Sequence, residues 1–155
     1  MALKVGEAAP TPTLFRAPRT PLLLGDYISQ QSVVLLFFPL AFSSTCTAEV
    51  CAVSDDFGSY ADLDAAVFAI SVDSPYVNER FAKETRARFP ILSDFNREAI
   101  RAYDVVRPDL GGLRDVSDRV VFVIGRDGRI RYVWQGEHPG VMPPFDVIKR
   151  EVALA

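Results

Sequence analysis

Three segments of the chain are apolar at nearly every position: residues 32–38 (SVVLLFF), 66–72 (AVFAISV) and 119–124 (RVVFVI). Runs of this kind, rich in β-branched and aromatic side chains, read as central strands of a sheet covered on both faces. Between the first two, Cys46, Val50, Val53, Phe57 and Tyr60 recur at spacings of 4, 3, 4 and 3. That period gathers them into one stripe and predicts a helix over about 46–63. Ser74 and Pro75 supply an N-cap and a first-turn proline, and Val77, Phe81, Thr85 and Phe89 follow at four-residue intervals until Pro90 should end a second helix. Ala99, Ile100 and Tyr103 predict a shorter helix over about 96–103. In "GRDGRIRYVW" (125–134) an Asp127-Gly128 turn between two strand-like runs predicts a hairpin, and Phe145, Ile148 and Val152 behind Pro143-Pro144 predict a last helix. Residues 108–118 (PDLGGLRDVSD) are expected to form the longest and most mobile loop. Strands alternating with helices define an α/β protein.

Composition narrows the class. The 155 residues are 49% hydrophobic and 24% charged, as expected of a single globular domain spanning 1–155. The net charge is −3 and the 17 basic residues are scattered, so no electrostatic footprint for nucleic acid or acidic lipid forms. No nucleic-acid partner is expected. The longest strongly apolar run, 33–42, falls short of the ~20 residues that span a bilayer, so no membrane partner is expected either. The start, "MALKVGEAAPTPTLF", has a lone Lys4 and lacks the apolar stretch of about 7–15 residues of a secretion signal. The expected location is the cytoplasm, where thiols stay reduced and a permanent structural disulfide is disfavoured.

Both cysteines of the chain lie in "FFPLAFSSTCTAEVC" (37–51), directly behind the first apolar strand. The crevice beyond the carboxyl end of a strand is where open α/β sheets bind ligands. Ser43, Ser44 and Thr45 are good N-cap residues, which places Cys46 in the first helical turn among free backbone N–H groups. A helix N-terminus and a nearby cation favour a thiolate, the nucleophilic form of cysteine. The plainer reading makes Cys46 a small buried hydrophobe. Cys51 lies five residues on, ~140° around an ideal helix, which sets the two Cα atoms about 8.6 Å apart. A disulfide needs less than about 7 Å, so the pair can join only if the first turns unwind. Three readings remain at this point: a redox couple linked to local unfolding, a metal site, and one active thiol beside an unrelated one. Two cysteines and the distant His138 fall short of the four ligands of structural zinc, and the spacing is not that of a Cys-x-x-Cys oxidoreductase.

"Pro39-Leu-Ala-Phe-Ser43-Ser-Thr-Cys46" resembles the P-x-x-x-[TS]-x-x-C signature of the peroxiredoxins, and "Cys46-Thr-Ala-Glu49-Val-Cys51" resembles the C-T-x-E-x-C of their bacterioferritin-comigratory (PrxQ-type) branch. "VGEAAPTPTL" (5–14), "AISVDSP" (69–75) and "ILSDFNREAIRAYDV" (91–105) follow the family's order. Arg119, in "RVVFVI…DG", matches the position of its active-site arginine. The resemblance covers residues 5 to about 136 and implies a thioredoxin-like fold, a central mixed β-sheet flanked by helices. Two departures stand out: Ser43 occupies a position usually held by Thr, and "PLAF" is closer to an AhpE-like or one-cysteine branch.

The resemblance implies a thiol-dependent peroxidase acting on hydrogen peroxide and organic hydroperoxides. Cys46 is the implied peroxidatic thiol and Cys51 the resolving one. Ser43 and Arg119 hold the peroxide, Pro39 shields the sulfur, and a thioredoxin-like or other dithiol restores both thiols. No cofactor or metal is implied, and the expected state is a monomer or weak homodimer. Glu49 is a candidate orienting partner for the arginine, its alternative being a solvated first-turn acid. The competing functions are a peroxide-responsive redox sensor and a one-cysteine enzyme in which Cys51 does not resolve Cys46. His138 reads as a turn residue, Trp134 as strand packing, and Arg107, Arg114 and Arg126 as surface charges, with Arg114 able to approach the pocket from its loop.

Overall fold

A computed structural model describes residues 2–155. Its strands are β1 (Thr13–Ala17), β2 (Thr20–Leu23), β3 (Ser32–Phe37), β4 (Ala65–Ser71), β5 (Ile91–Ser93), β6 (Val106–Leu110), β7 (Leu113–Ser117), β8 (Val120–Ile124) and β9 (Ile130–Gln135). Its α-helices are α1 (Ser44–Asp55), α2 (Phe57–Asp62), α3 (Pro75–Thr85), α4 (Glu98–Ala102) and α5 (Phe145–Leu154). Seven strands form one mixed sheet in the order β2-β1-β5-β4-β3-β8-β9, and β6-β7 form a separate pair. This is an α/β architecture, as the alternating pattern predicts, in the thioredoxin-like arrangement that the resemblance implies.

The three apolar runs are adjacent in the middle of the sheet. β3 runs parallel to β4 and antiparallel to β8, and all six of its residues are buried. Its alternation divides two cores. Val33, Leu35 and Phe37 join Phe122, Ile124 and the α4 residues Ala99 and Ile100 on one face. Val34, Leu36 and Phe38 join Cys46, Val50 and Val53 of α1, Phe81 of α3 and Ile148 and Val152 of α5 on the other. Phe37 pairs with Val120. Continuing that register by one residue sets Arg119 beside Phe38, on the face that α1 covers.

Four expectations are corrected. The predicted helix over 46–63 is two helices, broken at Asp56, whose backbone leaves the helical region (φ −106°, ψ 15°). Its carboxylate accepts from Ser59 Oγ at 2.8 Å and pairs with Lys149 of α5 at 2.6 Å. The apolar period runs through the break unchanged and so hides it. The second helix stops at Thr85 rather than near Phe89, because Arg86 turns left-handed (φ 53°) and Ala87 N–H donates to the Ala82 carbonyl at 3.0 Å, closing the end in a Schellman-type cap. Helix α4 is shorter than 96–103. Finally, the supposed loop at 108–118 belongs to the β6–β7 hairpin, whose two turn residues, Gly111 and Gly112, both have positive φ (59° and 91°), as a tight hairpin of this hand requires. The short strands β1, β2 and β5, outside the long apolar runs, are additions to the expected set.

Candidate active site

The chain leaves β3 at Phe37 and enters α1 at Ser44 through residues 38–43. Ser43 is extended (φ −69°, ψ 153°) and caps the helix, its Oγ accepting from the Cys46 backbone N–H at 3.4 Å. Cys46 therefore occupies the third position of the first turn, as the run of hydroxyls predicts. The residue is buried at 1% exposure. Glu49 follows three residues later and so lies on the same helix face; it too is 1% exposed, which overturns the solvated alternative.

Arg119 enters from the first position before β8. Its guanidinium, 1% exposed, uses three nitrogens on three acceptors, two of them on α1 and one in the loop after β9. Nη2 donates to Cys46 Sγ at 2.9 Å, Nε donates to the Pro139 carbonyl at 2.7 Å, and Nη1 donates to Glu49 Oε1. A planar fork with fixed donor directions suits three simultaneous acceptors, which the single ammonium of lysine does not. The Pro139 carbonyl is a contact that sequence gives no means of finding. Behind the arginine, Asp118 fixes the start of β8 by accepting from the Arg119 N–H at 3.0 Å and from Gln135 Nε2 at 3.0 Å.

Burial pushes the Glu49 carboxyl up from its ordinary 4.5 to about 7, against the opposing pull of the Arg119 charge and hydrogen bond. Its second oxygen, Oε2, is buried without a hydrogen-bond partner, which is why burial prevails.

A pocket of about 190 Å³ opens over this group, walled by Pro39, Leu40, Ser43, Leu110, Arg119 and Pro139. Pro39 is buried against the site and Ser43 is exposed at the mouth. Leu110 arrives on the β6–β7 hairpin, so the segment expected to be a mobile loop supplies a wall. Its neighbour Arg114 is exposed on β7 and is not among the lining residues. Arg107 is half-buried and pairs with Asp118 at 3.5 Å, a correction to its reading as a surface charge, whereas Arg126 pairs with Asp64 at the surface. His138 is exposed in its turn, where Nδ1 accepts from the Gly140 N–H at 3.1 Å, and Trp134 packs on the sheet from β9. Cys51 is half-buried on the same intact helix as Cys46, and both thiols are free. Among the described residues no group of three or more His, Cys, Asp or Glu side chains is placed to hold a metal ion, and no helix is long and apolar enough to cross a membrane.

Comparison with known proteins agrees with this geometry. The AhpC/TSA family profile matches residues 5–133. Alkyl hydroperoxide reductase E of Mycobacterium tuberculosis is 34% identical over 140 residues, 89% of this chain and 88% of its own. Peroxiredoxin Bcp of Bacillus subtilis is 28% identical over 137 residues, 87% of each chain. Among solved structures, peroxidoxin BcpB from Mycobacterium tuberculosis matches with a TM-score of 0.85 at 28% identity, over 98% of this chain and 97% of that one. The chain belongs to the AhpC/TSA family and is a peroxiredoxin, a thiol-dependent peroxidase of PrxQ/Bcp-like type.

Proposed function

We propose that Cys46 is the peroxidatic thiol and that Arg119 and Ser43 present the hydroperoxide to it, the reading being carried by the guanidinium 2.9 Å from the Cys46 sulfur. A cationic donor aimed at sulfur suits a thiolate, and the thiolate is the attacking form. The peroxide enters the pocket with one oxygen near the Ser43 hydroxyl, the Cys46 N–H and Arg119. Sulfur attacks the near oxygen and the O–O bond breaks. Its electron pair leaves on the far oxygen, which takes up a proton as water or alcohol. Sulfur is thereby oxidised to sulfenic acid while the peroxide is reduced. The same donors stabilise the negative charge on the departing oxygen. Pro39, buried against the site, keeps bulk water from the sulfur.

In the second half of the cycle the first turns of α1 unwind and the Cys51 thiolate attacks the Cys46 sulfur. The S–O bond breaks, hydroxide leaves and takes up a proton as water, and a disulfide forms, which a thioredoxin-like or other dithiol reduces by exchange. The intact helix supports the need for unwinding, since ideal spacing keeps the two Cα atoms about 8.6 Å apart, beyond reach of a disulfide. The chain acts as one domain over 1–155, as a monomer or weak homodimer, in the reducing cytoplasm.

The test is turnover of hydrogen peroxide and an alkyl hydroperoxide with a thioredoxin system. Cys46→Ser should abolish it, and retained turnover in that variant would end the reading. Sustained turnover by the unaltered chain separates the enzyme from a sensor, which would oxidise once and recycle slowly.

A further inference from the structure

Asp73 stands just past the carboxyl end of β4, on the strand next to the one that leads into the active-site loop. Its Oδ2 accepts from the backbone N–H of Ala41 at 2.8 Å, across thirty-two residues of sequence. Asp73 is itself held at its side chain and its backbone. Ser71 Oγ donates to the same oxygen at 2.8 Å, and buried Asn78 donates to Ser71 Oγ at 3.0 Å and to the Leu92 carbonyl at 3.1 Å. Ser93 Oγ donates to the Asp73 carbonyl at 2.5 Å. The acceptor offered to Ala41 is therefore tied to β4 through Ser71 and to β5 through Ser93.

Ala41 lies midway between Pro39 and Ser43, two of the loop residues that wall the pocket. Its neighbour Phe42 has φ +69°, a conformation that a bulky side chain holds only where the surroundings impose it, and its ring meets Phe81 of α3 with centroids 5.0 Å apart. The loop is thus fastened at two adjacent points, a backbone N–H to Asp73 and a ring to Phe81. Only the first is a directional polar contact.

We propose that Asp73 is a positioning residue for peroxide reduction: by holding the Ala41 N–H it fixes Pro39 and the Ser43 hydroxyl relative to the Cys46 sulfur. The proposal rests on the peroxidase reading above. Misplacing reacting groups by about 1 Å costs on the order of a hundredfold in rate, so even partial release of the loop is measurable.

The experiment compares the full-length chain with Asp73→Ala and Asp73→Asn, all in a Cys51→Ser background so that Cys46 alone reacts. Stopped-flow gives the rate constant with hydrogen peroxide, and alkylation by iodoacetamide gives the reactivity of the sulfur without the peroxide-holding groups. Asp73→Ala should slow peroxide reduction about tenfold or more while alkylation holds steady or rises. Asp73→Asn should react within about threefold of the parent, because its side-chain oxygen keeps both lone pairs for Ala41 and Ser71. A wild-type peroxide rate in Asp73→Ala would overturn the proposal. So would an equal fall in both rates, or an Asn variant as slow as the Ala variant. Should Asp73→Ala fail to fold, Ser71→Ala, which frees the carboxylate from one donor, should show the same peroxide-selective fall, and an unchanged ratio of the two rates would overturn the idea. A parent chain inert to peroxide would instead remove the peroxidase reading, and the proposal with it.

Discussion

Arg119 Nη2 donates to the sulfur of Cys46 across 2.9 Å, although seventy-three residues separate them in the chain. The two meet because β3 and β8 are hydrogen-bonded neighbours in the sheet, so the residue that opens one strand faces the helix that follows the other. Both side chains are almost wholly removed from water, where a charged donor acts more strongly than at a surface.

Removing the guanidinium should cost both chemistry and stability. Arg119→Met leaves the buried Glu49 carboxyl without its hydrogen-bond donor, a loss of about 1–3 kcal/mol for an unsatisfied buried polar group. Arg119→Met combined with Glu49→Gln should recover part of that loss but none of the peroxide rate. Chemical denaturation of the four proteins of this cycle, alongside stopped-flow kinetics, measures both. An additive cycle would deny the coupling.

The Glu49 carboxyl sets a pH dependence of stability with a definite sign. In the unfolded chain it loses its proton near 4.5, and in the folded chain near 7. Between those values the folded state binds more protons, so this group makes stability fall as pH rises from about 4.5 to about 7, flattening above. Denaturation midpoints at pH 5 and pH 8 should therefore drop more in the wild type than in Glu49→Gln. Parallel behaviour of the two proteins would contradict the assignment.

Ser43 serves as helix cap and as a hydroxyl at the pocket mouth. Ser43→Ala should cost about 1 kcal/mol of stability through the lost cap and should slow peroxide reduction. Ser43→Thr keeps the hydroxyl and should preserve both. Thermal melts and peroxide kinetics on the two variants check this, and a Thr variant as slow as the Ala one would show that the hydroxyl is not what matters.

One equivalent of peroxide should produce a Cys46–Cys51 bond, seen by mass mapping, together with faster amide exchange over residues 44–55 as α1 opens. A stable sulfenic acid, or an intermolecular bond, would make the chain a one-cysteine peroxiredoxin.

How much of this could be read from the sequence follows from the range of each interaction. The six-residue strand Ser32–Phe37 was legible because burial on both faces leaves it apolar at every position after Ser32. Ser43 was legible as a cap because capping is local. The meeting of Cys46 with Arg119 came only through family motifs, since nothing near either residue encodes a partner so far away. The break at Asp56 escaped because Phe57 and Tyr60 keep the helical period across it. Gly111-Gly112 is a hairpin signal, yet its polar flanks, Asp109 and Arg114 among them, lack the apolar alternation that would have exposed the strands. Asp73 and the Pro139 carbonyl were invisible for a different reason: each meets a distant group through or at the backbone, and a backbone group leaves no mark in a sequence.

The pairing of Phe37 with Val120 has a consequence for how this enzyme tolerates insertions and deletions. Successive residues of a strand point to opposite faces, so sliding β8 by a single residue would turn Arg119 toward the α4 side and bring an aliphatic chain to the sulfur. One residue more or less within either strand would extinguish the chemistry with the hydrophobic interior nearly intact, whereas the Gly111-Gly112 turn can lengthen at little expense to it.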